Sequence, residues 1–367
     1  MAAKKKAVKK TTTKKSPVKK KTVKKPAKKK IVLVTGASGF IAKHCIVRLL
    51  NEGYAVRGSL RSPNRADEVR AAIATKAPTD DLTFVTLDLM SDDGWGAAVK
   101  GCTFVQHVAS PFPSAEPDDE NDLIIPAREG ALRAVRFAAK GKVKRVVLTS
   151  SMAAVAYGHN KEPGYEYNED DWTNVDGGVS AYIKSKTIAE QAAWDFMKTP
   201  EAGKMQLSVI NPGAVLGPLL DSTYSTSGEL ARKLLAGEVP ACPDIGFACI
   251  DVRDVADAHF NAMTMPVAAG RRYLLIHSYA VMLDISKVLY KAGYKTPTKK
   301  LPNFAVHIMA MFDKTVRMIK GGLGKHENIS NKRLREELGI EPRSIKEMSL
   351  SMAATMVEFG VVKPKMR

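Results

Sequence analysis

Residues 31–42 read Ile-Val-Leu-Val-Thr-Gly-Ala-Ser-Gly-Phe-Ile-Ala, an apolar run that passes directly into a pair of glycines. The first four residues predict a buried strand, and helical spacing begins at Phe40. Gly36 would permit the tight turn, Gly39 would let the backbone approach a pyrophosphate, and Ala42 would allow the helix to pack closely on the sheet. Because that helix would point its N-terminus at the phosphates, the stretch predicts a dinucleotide-binding loop. An ordinary strand-to-helix turn is the alternative.

Outward from this loop, short apolar runs alternate with helical segments. Strands that are apolar throughout, each followed by a helix, are typical of a parallel sheet covered on both faces. We therefore predict an α/β fold with a doubly wound parallel sheet in a cofactor-binding domain, residues 30–215. Residues 216–367 predict a smaller, mainly helical substrate-binding lobe that returns late strands to the main sheet. The predicted strands are 31–34, 54–59, 82–87, 104–108 and 145–148, and the predicted helices are 40–51, 64–74 and 123–139.

The N-terminal segment has a different composition from the rest of the chain. Residues 1–30 contain fifteen lysines and no acidic residue, so that removing them reduces the net charge from +19 to +4. Such a segment buries too little apolar surface to fold, and we predict that residues 1–29 form a disordered tail. With Ser16-Pro-Val-Lys19 and Pro26-Ala-Lys-Lys29 it resembles lysine-rich histone H1-like tails. Non-specific binding of nucleic acid or another polyanion through residues 1–30 is one interpretation, and a solubilising tail without a partner is the other.

The four cysteines, Cys45, Cys102, Cys242 and Cys249, show neither metal-ligand spacing nor the pattern of a small disulfide-rich domain. We predict a reducing, cytoplasmic environment and no metal site. No apolar run reaches the length of a membrane span, and no secretory signal is visible. For the folded body we predict a small-molecule partner and an assembly that is a monomer or a homodimer.

The second predicted strand ends near Arg61, with Arg65 four residues further on. An enzyme that uses NAD usually places an acid near this point to hold the ribose hydroxyls, but no acid lies between the second strand and Asp67. Arg61 would instead pair with the 2′-phosphate of NADP(H). A solvated arginine at a strand end is the alternative.

Tyr182 and Lys186 are spaced i and i+4 on a predicted helix, so they share one face. A neighbouring ammonium group favours the phenolate and lowers the pKa of a tyrosine, which could then donate a proton to a carbonyl oxygen. The segment Leu148-Thr-Ser-Ser-Met152 follows the fifth strand, at the edge where open α/β sheets bind ligands. Of its two serines we predict that Ser151 holds the carbonyl, while Ser150 serves packing or a backbone contact.

Together these motifs resemble the extended short-chain dehydrogenase/reductases, and in particular the branch of dihydroflavonol reductases, cinnamoyl-CoA reductases and microbial aldehyde or ketone reductases. The resemblance covers roughly residues 30–362. It implies a Rossmann fold, the cofactor NADP(H), and reversible reduction of an aldehyde or ketone to the alcohol. Besides residues 35–42, the motifs that carry it are Asp88-Leu89, His107-Val-Ala-Ser-Pro111, Thr149-Ser-Ser151, Tyr182 to Glu190, Ala193-Trp-Asp-Phe196, Asn211 to Pro218 and Asp251 to Ala256.

The resemblance also implies roles for single residues. Asp88 and Leu89 would hold the adenine, Lys186 would bind the nicotinamide ribose, and the backbone at 212–215 would orient the carboxamide. His107, on an apolar strand, is predicted to be a packed and hydrogen-bonded residue rather than a catalytic one. The predicted catalytic residues are Ser151, Tyr182 and Lys186, and the predicted cofactor-binding residues are Gly36, Ser38, Gly39, Phe40, Ile41, Arg61, Arg65, Asp88, Leu89, Val108, Ala109, Ser110, Tyr182, Lys186, Pro212, Gly213 and Val215.

Two departures from the plant enzymes of this branch concern the substrate. Ala156 stands where dihydroflavonol reductases carry a polar residue that contacts the flavonoid. The Asn-Trp-Cys-Tyr signature of cinnamoyl-CoA reductases is absent, because the residues before Tyr182 read Asp-Gly-Gly-Val-Ser-Ala. The sequence therefore supports neither plant substrate and does not identify the carbonyl compound.

Two other functions compete with carbonyl reduction. A sugar-nucleotide epimerase or dehydratase would share the fold and the catalytic trio, but such enzymes usually prefer NAD, and Arg61 argues against this. A cofactor-binding protein associated with nucleic acid would use the basic tail as its working part. Because proteins of that kind typically lose the tyrosine or the lysine, the presence of both Tyr182 and Lys186 favours an enzyme.

Overall fold

The computed structural model describes residues 1–4, 7, 29–111, 117–162, 164–312, 323–324 and 327–367. The predicted disorder of residues 1–29 falls almost entirely outside these residues and stays a prediction. The strands are β1 (Ile31–Val34), β2 (Ala55–Leu60), β3 (Leu82–Thr86), β4 (Phe104–His107), β5 (Arg145–Thr149), β6 (Glu166–Tyr167), β7 (Gln206–Pro212), β8 (Ala214–Leu216), β9 (Gly246–Asp251), β10 (Arg272–Leu275), β11 (Ser278–Val281) and β12 (Asn328–Ile329).

The main sheet has seven parallel strands in the order β10-β7-β5-β4-β1-β2-β3. The chain starts in the centre with β1, proceeds outward to β3, and then crosses back to β4 on the other side of β1. Strand order therefore reverses between β1 and β4, which opens a crevice at their carboxyl ends. The predicted doubly wound α/β fold is confirmed.

Helices cover both faces of this sheet, and each face has its own apolar core. On one face α1 (Phe40–Asn51) and α7 (Val252–Thr264) pack together, and on the other α4 (Asn121–Lys140) packs along α5 (Ala181–Met197). Buried alanines of α4, such as Ala131 and Ala134, leave room for α5 to approach closely. The helices are α1 (Phe40–Asn51), α2 (Ala66–Ala74), α3 (Trp95–Val99), α4 (Asn121–Lys140), α5 (Ala181–Met197), α6 (Thr226–Ala236), α7 (Val252–Thr264), α8 (Met282–Lys291), α9 (Asn303–Phe312), α10 (Lys332–Glu336) and α11 (Ile345–Glu358).

A second, three-stranded sheet of order β11-β9-β8 lies beyond the carboxyl end of β7. Its β8 is parallel to β9, and β9 is antiparallel to β11. The later part of the chain adds helices α6, α8, α9, α10 and α11, while β10 returns to the edge of the main sheet beside β7. The predicted domain boundary at residues 215/216 falls within β8, which follows β7 after one residue. This boundary stays a prediction.

Among the residues that the structure describes, no helix combines the length and the apolarity needed to cross a membrane. The four cysteines all lie in the described part of the chain, where they are buried and free of disulfide bonds. Burial raises the pKa of the Cys45 thiol, as expected for a small apolar core residue.

Candidate active site

The phosphate loop connects β1 to α1 in the geometry that the glycine spacing predicts. Gly36 has φ of +70°, and a Cβ there would lie 3.0 Å from that of Ala109, so only glycine fits without strain. Gly39 is the N-cap of α1 and no side chain caps the helix. The first-turn N–H groups of α1 are therefore free of a side-chain cap, and the helix end can receive an anionic ligand.

Thr35 holds the loop to the end of β4. Its hydroxyl oxygen accepts the N–H groups of Val108 and Ala109 at 3.0 Å each and lies 2.9 Å from Nδ1 of His107. The hydroxyl proton is then directed to Nδ1, which acts as the acceptor. Burial lowers the pKa of His107 to about 3, so the imidazole is neutral. His107 is thus packed and hydrogen-bonded, as predicted, and Thr35 ties the phosphate loop to the residues that follow β4.

Of the two arginines that follow strand β2, Arg61 lines the cleft and Arg65 does not. Arg61 is exposed and lines the cleft just after the end of β2. Arg65 is not among the lining residues, and its guanidinium instead donates to Glu68 at 2.8 Å. After β3, Asp88 and Leu89 line the cleft beside the phosphate loop. The structure therefore brings Arg61, Asp88 and Leu89 together, and pairs Arg65 with Glu68 nearby.

Ser151, Tyr182 and Lys186 converge at the carboxyl edge of the main sheet. Ser151 follows β5 in extended backbone, with φ of −160°. Ser180 caps the start of α5 and so places Tyr182 and Lys186 in its first two turns. The side chains of Tyr182 and Ser151 are hydrogen-bonded to each other. The Lys186 Nζ lies 5.8 Å from the centre of the Tyr182 ring and donates to the Ser110 Oγ at 2.8 Å.

Burial sets the electrostatics of this trio. It raises the pKa of Tyr182, while the hydrogen bond with Ser151 acts in the opposite direction. It lowers the pKa of Lys186 to about 8. The sequence predicts a tyrosine pKa lowered by the lysine, but in the structure desolvation outweighs other influences and Ser151 is the group that favours the phenolate.

The cleft has a volume of 2690 Å³, well above the roughly 300–1,000 Å³ of a site for one small ligand. It therefore has room for a dinucleotide and a substrate together. Gly213 forms part of its floor, where a Cβ would collide with the Ala248 carbonyl oxygen at 2.0 Å. The predicted cofactor-binding and catalytic residues that line the cleft are Gly36, Ser38, Gly39, Phe40, Ile41, Arg61, Asp88, Leu89, Val108, Ala109, Ser110, Ser151, Tyr182, Lys186, Pro212, Gly213 and Val215.

Sequence reasoning missed the polar residues behind the cleft. Thr35 was part of a recognised motif, yet its contact with β4 joins residues 72 positions apart. Glu190 continues the spacing of Tyr182 and Lys186 by one further turn of α5, and this spacing was the one available signal for it. Asn211 precedes Pro212 in a recognised motif, but nothing local indicates where its side chain points.

The fold and the cleft define an oxidoreductase of the extended short-chain dehydrogenase/reductase class. The chain belongs to the NAD dependent epimerase/dehydratase family, which matches residues 32–275. It is 33% identical over 340 residues to cinnamoyl-CoA reductase 1 of Arabidopsis thaliana, with 91% of each chain covered. It is 32% identical over 287 residues to a (2S)-flavan-3-ol-forming anthocyanidin reductase of Vitis vinifera, with coverage of 74% of this chain and 83% of the relative.

A solved structure agrees in fold. The yeast methylglyoxal/isovaleraldehyde reductase, determined in complex with NADPH, superposes with a TM-score of 0.73 at 28% identity. The match covers 90% of this chain and 99% of the yeast chain. These similarities confirm the family resemblance, the fold class and the assignment as an oxidoreductase.

Proposed function

We propose that the protein reduces an aldehyde or ketone to the alcohol, reversibly, with NADPH as the hydride donor. The single observation that carries the proposal is the hydrogen-bonded pair of Ser151 and Tyr182 beside Lys186, at the carboxyl edge of a doubly wound sheet. The names of the relatives, which are reductases, support the same reaction class.

The proposed mechanism assigns one task to each residue of the trio. Bound NADPH would supply the hydride. The Ser151 hydroxyl would hold the substrate carbonyl oxygen next to Tyr182, and the phenol would donate its proton to that oxygen as charge develops there. Lys186, whose pKa is about 8, is mostly charged at pH 7 and would stabilise the resulting phenolate. In the oxidation direction the same phenolate would accept the proton of the alcohol.

The residues of the cleft fit a dinucleotide that carries a 2′-phosphate. The uncapped start of α1 and the tight approach at Gly36 provide a cradle for the pyrophosphate. Arg61 would pair with the 2′-phosphate at the other end of the adenosine, where an NAD enzyme would carry an acid. Asp88, Leu89 and Ser110 line the rest of the proposed cofactor path.

Arg61→Ala is expected to weaken NADPH binding by about ten- to a hundredfold and to leave NADH binding unchanged, because a charge-assisted hydrogen bond to phosphate contributes roughly 1.5–3 kcal/mol. Arg65→Ala is the matched control. Its guanidinium already pairs with Glu68, so we expect a smaller loss. Fluorescence titration of both cofactors with each variant measures the difference. Equal losses for NADPH and NADH in Arg61→Ala would show that Arg61 does not select the 2′-phosphate.

A panel of neutral aldehydes and ketones, assayed by NADPH oxidation together with the alcohol formed, tests the reaction. One alcohol per NADPH consumed is expected. The alternative, an epimerase or dehydratase, returns its cofactor unchanged after each cycle. Conversion of a sugar nucleotide without net NADPH oxidation would therefore favour the alternative and contradict the reductase.

For residues 1–30 we propose weak, non-specific binding of nucleic acid, supported only by their fifteen lysines and the absence of acids. If about eight lysines contact phosphates, log K should fall with log salt at a slope near −7. Removal of residues 1–29 is expected to abolish DNA binding and to leave carbonyl turnover unchanged. Anisotropy titrations of labelled duplex DNA with the full-length and truncated proteins check this. Undetectable binding by the full chain at low salt would favour a purely solubilising tail.

A further inference from the structure

A buried polar network lies directly behind the catalytic trio, outside the cleft. The side chain of Glu190 on α5 is fully buried, and so is Asn211 on β7. The Asn211 Nδ2 donates to Glu190 Oε2 at 2.7 Å and to the main-chain oxygen of Ser151 at 3.1 Å. The other carboxylate oxygen of Glu190 accepts from Arg272 Nε at 2.6 Å and from Trp194 Nε1 at 3.2 Å.

This network joins the two elements that carry the trio. Glu190 lies one turn beyond Lys186 and two turns beyond Tyr182, on the same face of α5. Ser151 lies two residues after the end of β5, the strand that pairs with β7. From β7, the side-chain amide of Asn211 donates to the main-chain oxygen of Ser151. One amide group thus links the helix of Tyr182 to the backbone of Ser151.

A role in packing alone does not account for these residues. Burying a carboxylate costs free energy that well-packed apolar side chains would avoid, even when an arginine neutralises it. Hydrogen bonds, unlike apolar contacts, fix direction as well as distance. Neither Glu190 nor Asn211 lines the cleft, so neither is placed to contact the substrate or the cofactor.

We propose that Glu190 and Asn211 are positioning residues that hold Ser151 in hydrogen-bonding register with Tyr182. The inference rests on the proposed reductase function and adds two residues to its machinery. Without the link, the end of β5 and the helix α5 can shift relative to each other. Misplacement of a catalytic group by about 1 Å can cost on the order of a hundredfold in rate. Since the Ser151 hydrogen bond favours the phenolate, its loss also raises the pKa of Tyr182.

The test compares Asn211→Leu with Trp194→Phe. The first variant removes the donor to Ser151 and keeps the shape of the side chain. The second removes another donor to the same carboxylate, at the oxygen that Asn211 does not contact. Asn211→Leu is expected to lower kcat by about ten- to a hundredfold while the NADPH dissociation constant stays within about twofold. The rate of alcohol oxidation by this variant should also increase with pH, but with an apparent pKa higher than that of the wild type. Trp194→Phe should change neither kcat nor the pH profile.

The outcomes separate the inference from the proposed function. A wild-type protein that reduces no carbonyl compound contradicts the reductase itself. An active wild type with normal kcat in Asn211→Leu contradicts only the positioning role, as does a kcat loss with an unshifted pH profile. Asn211→Ala, which leaves space for a water molecule, repeats the measurement in case the leucine variant folds poorly. If in both variants activity falls only in proportion to the folded fraction, Asn211 is a stability residue and the inference is wrong.

Discussion

Tyr182→Phe is expected to lower the kcat of carbonyl reduction by about a hundredfold or more, the scale of a lost general acid. The substitution removes only the hydroxyl group, which is hydrogen-bonded to Ser151 and would donate the proton. The ring remains to fill its space beside Lys186, so the fold and the cofactor site should be preserved. NADPH is therefore expected to bind with nearly the wild-type affinity.

Steady-state kinetics with the best aldehyde or ketone of the panel, combined with a fluorescence titration of NADPH, measure both effects. Tyr54→Phe is the matched control, because Tyr54 packs against Phe260 outside the cleft. It should retain the wild-type kcat. Turnover by Tyr182→Phe within a few-fold of wild type would contradict the proposed mechanism, whereas a large loss of NADPH affinity would mean that the hydroxyl contributes mainly to cofactor binding.

The parts of the fold that could be predicted are those whose physical cause is local in sequence. The strand at 31–34 and the helix at 40–51 were predicted with the bounds that the structure shows. A continuous apolar run and apolar residues at helical spacing each indicate which side chains are buried. The positive φ of Gly36 likewise follows from the demands of one turn. The pairing of Tyr182 with Lys186 on one face of α5 follows from helix geometry alone.

Contacts between distant segments could not be predicted in this way. The hydrogen bond between Thr35 and His107 joins residues 72 positions apart, and only the folded chain shows it. The same holds for Asn211, whose amide bridges Ser151 and Glu190 across three separate elements. The pKa of Tyr182 was predicted from its charged neighbour, whereas its value depends on how much of the surrounding chain excludes water.

Lys186→Met is expected to abolish turnover and at the same time to stabilise the fold at pH 7. Burial lowers the pKa of Lys186 from 10.5 to about 8, so below pH 8 the folded protein bears the cost of a desolvated ammonium group. At about 1.36 kcal/mol per pKa unit this cost is at most about 3 kcal/mol. Methionine keeps the apolar stem without the charge. Loss of the hydrogen bond to Ser110 destabilises the variant by about 1 kcal/mol. The free energy of unfolding of Lys186→Met should therefore exceed that of the wild type by about 1–2 kcal/mol.

The pH dependence of this gain identifies its cause. The pKa of Lys186 is lower in the folded chain than in the unfolded chain, so the unfolded chain binds more protons between about pH 8 and pH 10.5. The free energy of unfolding of the wild type therefore increases as pH rises through that range. The difference between Lys186→Met and wild type should therefore be largest at pH 7 and shrink above pH 8. Denaturant unfolding at pH 7 and pH 9.5 measures it.

Lys184→Met, on the same helix but ion-paired with Glu120 at 2.6 Å near the surface, should show no stabilisation and normal turnover. An equal gain for Lys186→Met at both pH values would contradict the desolvation argument, because a gain from packing alone does not depend on the charge of the lysine.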